Sequence, residues 1–165
     1  MAKVYLNIGS NIEREYNISA CLQILRKDYP DVIFSRVYET EAFGFKGDAF
    51  YNLAAMLETT LSVEKFSAYL KHLEDCHARQ RDGVKFSSRT LDIDILLYDD
   101  LILQPEQDIP RKEILRYPFV LFPLEEIAPE VLHPELGISI AEIAAQSALD
   151  RNVLQLIEDD VFKKI

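Results

Sequence analysis

Two aspartates, Asp92 and Asp94, stand at alternate positions of a segment that has the pattern of a β-strand. Residues 90–98 alternate at their start, with leucine and isoleucine on one side and both aspartates on the other. Side chains two positions apart on a strand point the same way and lie roughly 6.6 Å apart. Carboxylates this close repel each other, and Mg²⁺ bound through them and through substrate phosphates would relieve the repulsion. The pair is therefore a candidate metal site, with a solvated strand face as the alternative.

A basic segment lies just upstream of the aspartate pair. Four cations fall within eleven residues: Arg79, Arg81, Lys85 and Arg89. The formal net charge of the chain is −10, so a polyanion is repelled unless positive charge is concentrated locally. Arginine presents a planar fork of donors that suits phosphate oxygens. Together with the aspartates, this segment predicts a site for ATP and magnesium. The alternative is a surface loop whose cations pair with neighbouring aspartates.

A third group of residues suits a flat ligand that forms hydrogen bonds. Phe43, Phe45 and Phe50 stand close in sequence to the amide of Asn52. Aromatic rings and one or two placed polar groups are typical of sites for heterocycles. The alternative is that these are ordinary core aromatics where a loop meets a strand.

Length and composition limit the remaining possibilities. The 165 residues fit one domain, residues 1–165, and the apolar fraction of 48% argues against disorder. No window approaches the ~20 apolar residues of a membrane span, and the N-terminus lacks a signal-peptide pattern. We therefore expect a cytoplasmic protein without membrane contact, and the acidic charge argues against a nucleic-acid partner. Cys21 and Cys76 are predicted to be buried thiols.

The order of the predicted elements is typical of a ferredoxin-like fold. Strands and helices alternate as βαββαβ, which predicts an α+β domain with an antiparallel sheet and a C-terminal helical extension. The predicted strands are 4–8, 32–38, 50–60 and 90–98, and the two helices between them are 12–25 and 62–78. The pattern further predicts an edge strand at 101–103 and helices at 119–127, 139–146 and 148–162.

These residues resemble the 6-hydroxymethyl-7,8-dihydropterin pyrophosphokinase (HPPK) family from the opening strand to Pro129. The segment from Arg89 to Asp94 is similar to the family's RTLDID/RTLDLD signature. Other matching positions are Glu74, Arg79 and Arg81 upstream, Thr40, Gly44 and Asn52 in the pterin-loop pattern, and Pro110 with the 119–124 run downstream.

The resemblance implies transfer of pyrophosphate from ATP to the pterin hydroxymethyl group, with release of AMP. Asp92 and Asp94 would bind two Mg²⁺ ions, and Arg79 and Arg89 would neutralise phosphate charge as catalytic residues. The nucleotide-binding residues implied are Glu74, Arg79, Arg81, Arg89, Pro110 and Arg111. The pterin-binding residues implied are Thr40, Ala42, Phe43, Phe50, Asn52 and Phe119. We expect a monomer.

The chain departs from the family pattern near the signature. Residues 86–88 replace a tryptophan followed by Gly-Pro, and Arg111 replaces the histidine of a Pro-His pair. Arginine also donates to phosphate, so Arg111 would offset that loss. The changes leave two alternatives: a divergent paralogue that binds a pterin or nucleotide with weak or no catalysis, and a related transferase with another acceptor.

Overall fold

The computed structural model describes residues 1–41, 48–78, 91–158 and 162 of the chain. At its centre is a sheet of six strands: β1 (Ala2–Ser10), β2 (Ile33–Phe34), β3 (Val37–Thr40), β4 (Phe50–Thr59), β5 (Asp92–Tyr98) and β6 (Gln155–Ile157). The spatial order is β5-β1-β4-β3-β6, with β2 also paired to β4, and every pair is antiparallel. The prediction of an antiparallel ferredoxin-like sheet is confirmed.

In the described parts of the chain, four α-helices pack on the two faces of this sheet: α1 (Arg14–Asp28), α2 (Val63–Ala78), α3 (Pro118–Ile127) and α4 (Ile140–Gln146). A first apolar core joins α1 and α2 to alternate sheet residues such as Leu6 and Ile93. A second core joins α3 and α4 to the opposite side, around Tyr5 and Leu96. The sheet is therefore covered on both faces. None of the helices among the described residues is long and apolar enough to span a bilayer.

The C-terminal extension differs from the prediction. The predicted helix 148–162 is wrong for residues 148–158, which contain a 3-10 helix, Arg151–Val153, followed by β6. β6 pairs with β3, as Val37 with Ile157 and Glu39 with Gln155. Pairing with a sheet edge far away in sequence has overridden the local helical pattern. The predicted edge strand 101–103 is also wrong, because the chain there runs through turns and irregular structure.

The predicted strand 32–38 is split in two by a side chain. Ser35 donates its backbone N–H to the Ala54 carbonyl, and its hydroxyl accepts the Ala54 N–H at 2.8 Å. The hydroxyl thus takes a place that a backbone carbonyl occupies in a regular ladder. Of the two cysteines, Cys21 is buried as predicted, whereas Cys76 is exposed and that prediction is wrong.

Candidate active site

A cavity of about 280 Å³ opens on the α3 side of the sheet. The second core ends near the start of α3, and beyond it polar residues occupy the same face of the strands. On β1, Val4, Leu6 and Ile8 point into the first core, so Asn7 and Gly9 point to the other side with Tyr5. The cavity is therefore the polar continuation of a face whose other half is packed against a helix.

Strand register sets the residues of the cavity side by side. Gly9 pairs with Asp92 on one side and with Asn52 on the other, and Asn7 pairs with Asp94 in the next row. Because adjacent strands lie about 4.8 Å apart, a carboxylate, a glycine and an amide form one row across three strands. The sheet brings residues from three distant parts of the sequence to one surface.

The glycine in this row leaves room for the amide beside it. A Cβ atom added at Gly9 would lie 2.7 Å from Oδ1 of Asn52, closer than such atoms approach. Asn52 is buried, and its Nδ2 donates to Oγ1 of buried Thr40 at 3.2 Å. The amide is thus held in one orientation at the cavity, where a hydrogen-bonding heterocycle would meet it.

Aromatic residues line the cavity beside this amide. Phe50 comes from β4 and Phe119 from the first turn of α3. Phe119 also stacks on Tyr117, with ring centroids 5.1 Å apart and planes 15° apart. Pro118 begins α3 at a position where its missing N–H costs nothing, and this places Tyr117 and Phe119 at the cavity. The rings provide apolar surface for a flat ligand.

The carboxyl group of Glu74 lies near the edge strand β5, which carries Asp92 and Asp94. Oε2 of Glu74, on α2, accepts the backbone N–H of Ile93 at 3.0 Å. Burial raises the pKa of Glu74 to about 8; that N–H opposes the shift, while a hydrogen bond from the protonated Glu74 to Asp92 and the charges of Asp92 and Asp94 add to it. The carboxyl groups therefore disfavour one another's charge, and a proton on Glu74 or a cation beside the aspartates would relieve this repulsion.

The donor set fits magnesium. Among the described residues no group of three or more potential metal-binding side chains is found. Mg²⁺ does not require one, because it commonly binds one or two carboxylates and completes its octahedron with water and phosphate oxygens. Asp92 and Asp94 offer hard oxygen ligands on the cavity side of β5.

Arg111 brings a positive charge to this acidic point. Its Nη2 lies 3.4 Å from Oδ1 of Asp94 and 3.3 Å from Oε1 of Glu113. Burial lowers the pKa of Arg111, but the negative charge of Asp94 and the hydrogen bond and charge of Glu113 outweigh burial, so the pKa is raised. Its Nε is buried and, within the described parts of the chain, has no hydrogen-bond partner. The guanidinium thus joins two carboxylates at the first cavity.

A second cavity, of about 180 Å³, lies on the α2 side of β5. Leu70 and Ile109 give it apolar surface, and Glu74 lines it too. Asp94 and Arg111 line both cavities. The ion pair between them therefore lies at the boundary of the two cavities.

The residues singled out from the sequence divide into three groups. The structure brings together in the first cavity Thr40, Phe50, Asn52, Asp92, Asp94, Arg111 and Phe119. Glu74 lines the second cavity, and buried Pro110 connects Ile109 to Arg111 beside it. Ala42, Phe43, Arg79, Arg81 and Arg89 lie outside the described residues.

Sequence reasoning missed Asn7, Gly9 and Tyr117 as cavity residues. Asn7 is 6% exposed, and its Oδ1 has no hydrogen-bond partner in the described structure. A signal was present, because an asparagine in an otherwise apolar buried strand demands a partner. Tyr117 carried no such signal, since its role depends on where α3 begins.

Comparison with known proteins supplies a family. The model of the family described as 7,8-dihydro-6-hydroxymethylpterin-pyrophosphokinase (HPPK) matches residues 5–129. A 2-amino-4-hydroxy-6-hydroxymethyldihydropteridine pyrophosphokinase of Aquifex aeolicus is 30% identical over 90% of this chain and 94% of its own length. The enzyme of the same name from Porphyromonas gingivalis is 34% identical over 82% of this chain and 96% of its own length.

Longer proteins match as well. The bifunctional protein FolKE of Lactococcus lactis is 32% identical over 97% of this chain, which spans 46% of that relative. A solved Plasmodium falciparum HPPK-DHPS structure has a TM-score of 0.68 at 15% identity, covering 88% of this chain and 45% of its own. The chain thus spans about half the length of these two proteins, and the structural likeness concerns the fold.

Proposed function

The chain belongs to the 7,8-dihydro-6-hydroxymethylpterin-pyrophosphokinase family, and from that premise we propose how its residues transfer pyrophosphate from ATP to 6-hydroxymethyl-7,8-dihydropterin in folate biosynthesis. One observation carries the proposal: Asp94 and Arg111 line two adjacent cavities at once. A transfer between two bound substrates requires such a boundary, at which the migrating group is in reach of both.

The first cavity is the proposed pterin site. The Asn52 amide, fixed by Thr40, offers both a donor and an acceptor to the edge of the pterin ring. Phe50 and Phe119 offer apolar surface to its faces. Ala42 and Phe43, adjacent in sequence to this cavity's residues, remain proposed pterin contacts.

The second cavity is the proposed nucleotide site. Leu70 and Ile109 suit the adenine base, and Glu74 and Pro110 stand beside them. Arg111 points its guanidinium toward the boundary, where the phosphates would lie. The arginines at 79, 81 and 89 are proposed to neutralise the remaining phosphate charge.

Asp92 and Asp94 are the proposed metal ligands, and we propose two Mg²⁺ ions. Magnesium held by these carboxylates would offset the negative charge of the triphosphate. The chain's own contribution is to hold both carboxylates on one face of β5, with the backbone of Ile93 tied to Glu74. This fixes the aspartates relative to both cavities before substrates arrive.

The chemical step is an in-line displacement. The pterin hydroxymethyl oxygen forms a bond to the β-phosphorus of ATP, the bond from that phosphorus to the α-bridging oxygen breaks, and AMP leaves. Asp94, nearest the boundary, is the candidate acceptor of the hydroxyl proton. Arg111, with Arg79 and Arg89, would stabilise charge on the transferring and leaving groups.

Release of AMP from ATP tests this proposal. AMP is measured with Mg²⁺, with and without 6-hydroxymethyl-7,8-dihydropterin, and with EDTA as a control. We expect AMP without ADP, only when pterin and Mg²⁺ are both present. A folded protein that binds pterin or ATP without forming AMP would instead be the divergent binding paralogue. AMP formed only with another hydroxymethyl compound would indicate a different acceptor.

Three broader proposals accompany this function. We propose that the protein acts as a monomer. α4 and β6 lie beyond the region matched by the family model but join the second core and the sheet, which supports a single domain over residues 1–165. With ATP as the donor, we propose that the reaction takes place in the cytoplasm.

A further inference from the structure

Arg14, the first residue of α1, contacts both strands that border the proposed pterin cavity. Its Nη2 lies 3.0 Å from Oε2 of Glu39 on β3. Its Nη1 donates to the backbone carbonyl of Ala49, just before β4, at 2.8 Å. Its guanidinium carbon lies 4.1 Å above the ring of Tyr51 on β4. One side chain thus holds the ends of β3 and β4 through three contacts of different kinds.

These contacts alternate with the cavity residues. Glu39 pairs with Tyr51 across the two strands, and the next pair, Thr40 with Phe50, lines the cavity. Neighbouring strand residues point to opposite faces, so Arg14 acts on one face of the strands while the proposed pterin site lies on the other. A second tie supports the same region, because Nδ2 of Asn11 donates to the Asp48 carbonyl at 3.1 Å.

The pairing of β3 with β4 ends at Thr40 and Phe50. The last pair of a ladder separates easily unless something beyond the backbone hydrogen bonds holds it. Arg14 supplies such contacts while only 30% of its side chain is exposed, and charged hydrogen bonds of this kind are the stronger ones. Lysine cannot reproduce them together, because it lacks the planar fork that serves a carboxylate, a carbonyl and a ring.

We propose that Arg14 is a positioning residue for the pterin site, an inference that rests on the proposed function. By holding β3 and β4 together at their ends, Arg14 fixes the separation of Thr40 and Phe50. Because Thr40 accepts a hydrogen bond from Asn52, Arg14 also fixes the orientation of the Asn52 amide. Arg14 lines neither the first nor the second cavity. It therefore sets affinity for the pterin and leaves affinity for the nucleotide unchanged.

The test compares Arg14→Ala, Arg14→Lys and Glu39→Gln with the matched control Arg26→Ala. Arg26 lies on the same helix, and its guanidinium carbon lies 5.3 Å above the ring of Phe34, away from the cavity residues. We expect Arg14→Ala to raise the KM for 6-hydroxymethyl-7,8-dihydropterin about tenfold, the scale of one lost charge-assisted contact. The KM for ATP should stay within about twofold, Arg14→Lys should recover part of the loss, and Arg26→Ala should resemble the wild type.

Direct binding separates this inference from the proposed function. Calorimetric titration of the same pterin, with Mg²⁺ and α,β-methylene-ATP present, reports affinity even if no turnover occurs. Weaker pterin binding by the Arg14 variants supports the positioning role whether or not AMP is formed. If Arg14→Ala does not fold, Arg14→Lys and Glu39→Gln decide in its place. Equal losses for pterin and nucleotide, or pterin affinity within about twofold of the wild type in the folded variants, would overturn the proposal.

Discussion

The guanidinium of Arg111 lies 3.4 Å from the carboxylate of Asp94, at the boundary between the two cavities. The same carboxylate is a proposed metal ligand. The arginine thus places beside Asp94 the positive charge that magnesium would supply when bound. Arg111 also pairs with the carboxylate of Glu113, which can hold the guanidinium when Asp94 binds a metal ion.

Arg111→Ala should therefore have opposite effects on metal binding and on turnover. Removing the guanidinium takes away a charge that competes for Asp94, so Mg²⁺ should bind the nucleotide-free protein several-fold more tightly. Turnover should fall by about 10²-fold, the scale of one lost contact to transition-state charge. Calorimetry with Mg²⁺ and the AMP assay measure the two effects.

The exposed Arg116, five residues after Arg111, provides a control for the general loss of positive charge. Arg116→Ala should change neither Mg²⁺ affinity nor turnover by more than about twofold, as is usual for surface charges. Weaker Mg²⁺ binding in Arg111→Ala would contradict the competition between arginine and metal.

Asp92→Asn should abolish measurable turnover and leave the fold intact. Asp92 lines the first cavity, on the face of β5 opposite the first apolar core, so its charge is not needed for packing. We expect turnover to fall by at least about 10²-fold, with a circular dichroism spectrum like that of the wild type. Asp100→Asn, in the exposed turn after β5, is the matched control. Near-normal activity of Asp92→Asn would refute the metal assignment.

Gly9→Ala should weaken pterin binding through Asn52. The new methyl group would lie 2.7 Å from the amide oxygen, so the amide must turn away from its bond with Thr40. We expect pterin affinity to fall about tenfold and ATP affinity to persist. If the effect passes through the amide, adding Gly9→Ala to Asn52→Ala should cost almost nothing more. Full additivity of the two changes would point to another cause.

His133 should make the fold more sensitive to acid. Its buried Nδ1 accepts the backbone N–H groups of Glu135 and Leu136, which requires a neutral ring. Burial lowers the pKa of His133 below its ordinary value of 6.5. The stability that this group contributes is therefore present above pH 6.5 and is lost as the pH falls through the folded-state pKa.

Thermal unfolding between pH 5 and pH 8 measures this effect. His133→Asn keeps an acceptor near the position of Nδ1 but does not titrate in this range. The melting temperature of the wild type should fall more steeply below pH 6.5 than that of the variant. Parallel curves would mean that His133 does not contribute to the acid sensitivity.

Local patterns were sufficient where a single periodicity decided the outcome. The alternation in β5 predicted that Asp92 and Asp94 face away from Ile93 and Ile95. In the structure those isoleucines lie in the first core, and both aspartates line the first cavity. The signature around these residues also led to the correct family. Both inferences rest on short segments in which sequence neighbours settle the direction of each side chain.

Relationships across the sheet were beyond the reach of such patterns. That Gly9 stands between Asp92 and Asn52 follows from register, which depends on the whole pairing of β1 with β4 and β5. The contacts of Arg14 with Glu39 and Ala49 join positions that are separated by 25 and 35 residues. The sequence around Arg14 does not indicate that an arginine at the start of a helix contacts two distant strands.

The pairing of β6 with β3 has a consequence for the solubility of shortened chains. β6 covers the open side of β3 and lies beyond the region shared with the family model. A chain cut before Gln155 would leave the N–H and C=O groups of β3 exposed as a template for strands of other molecules. β6 thus protects the sheet against aggregation, although none of its residues lines the first cavity.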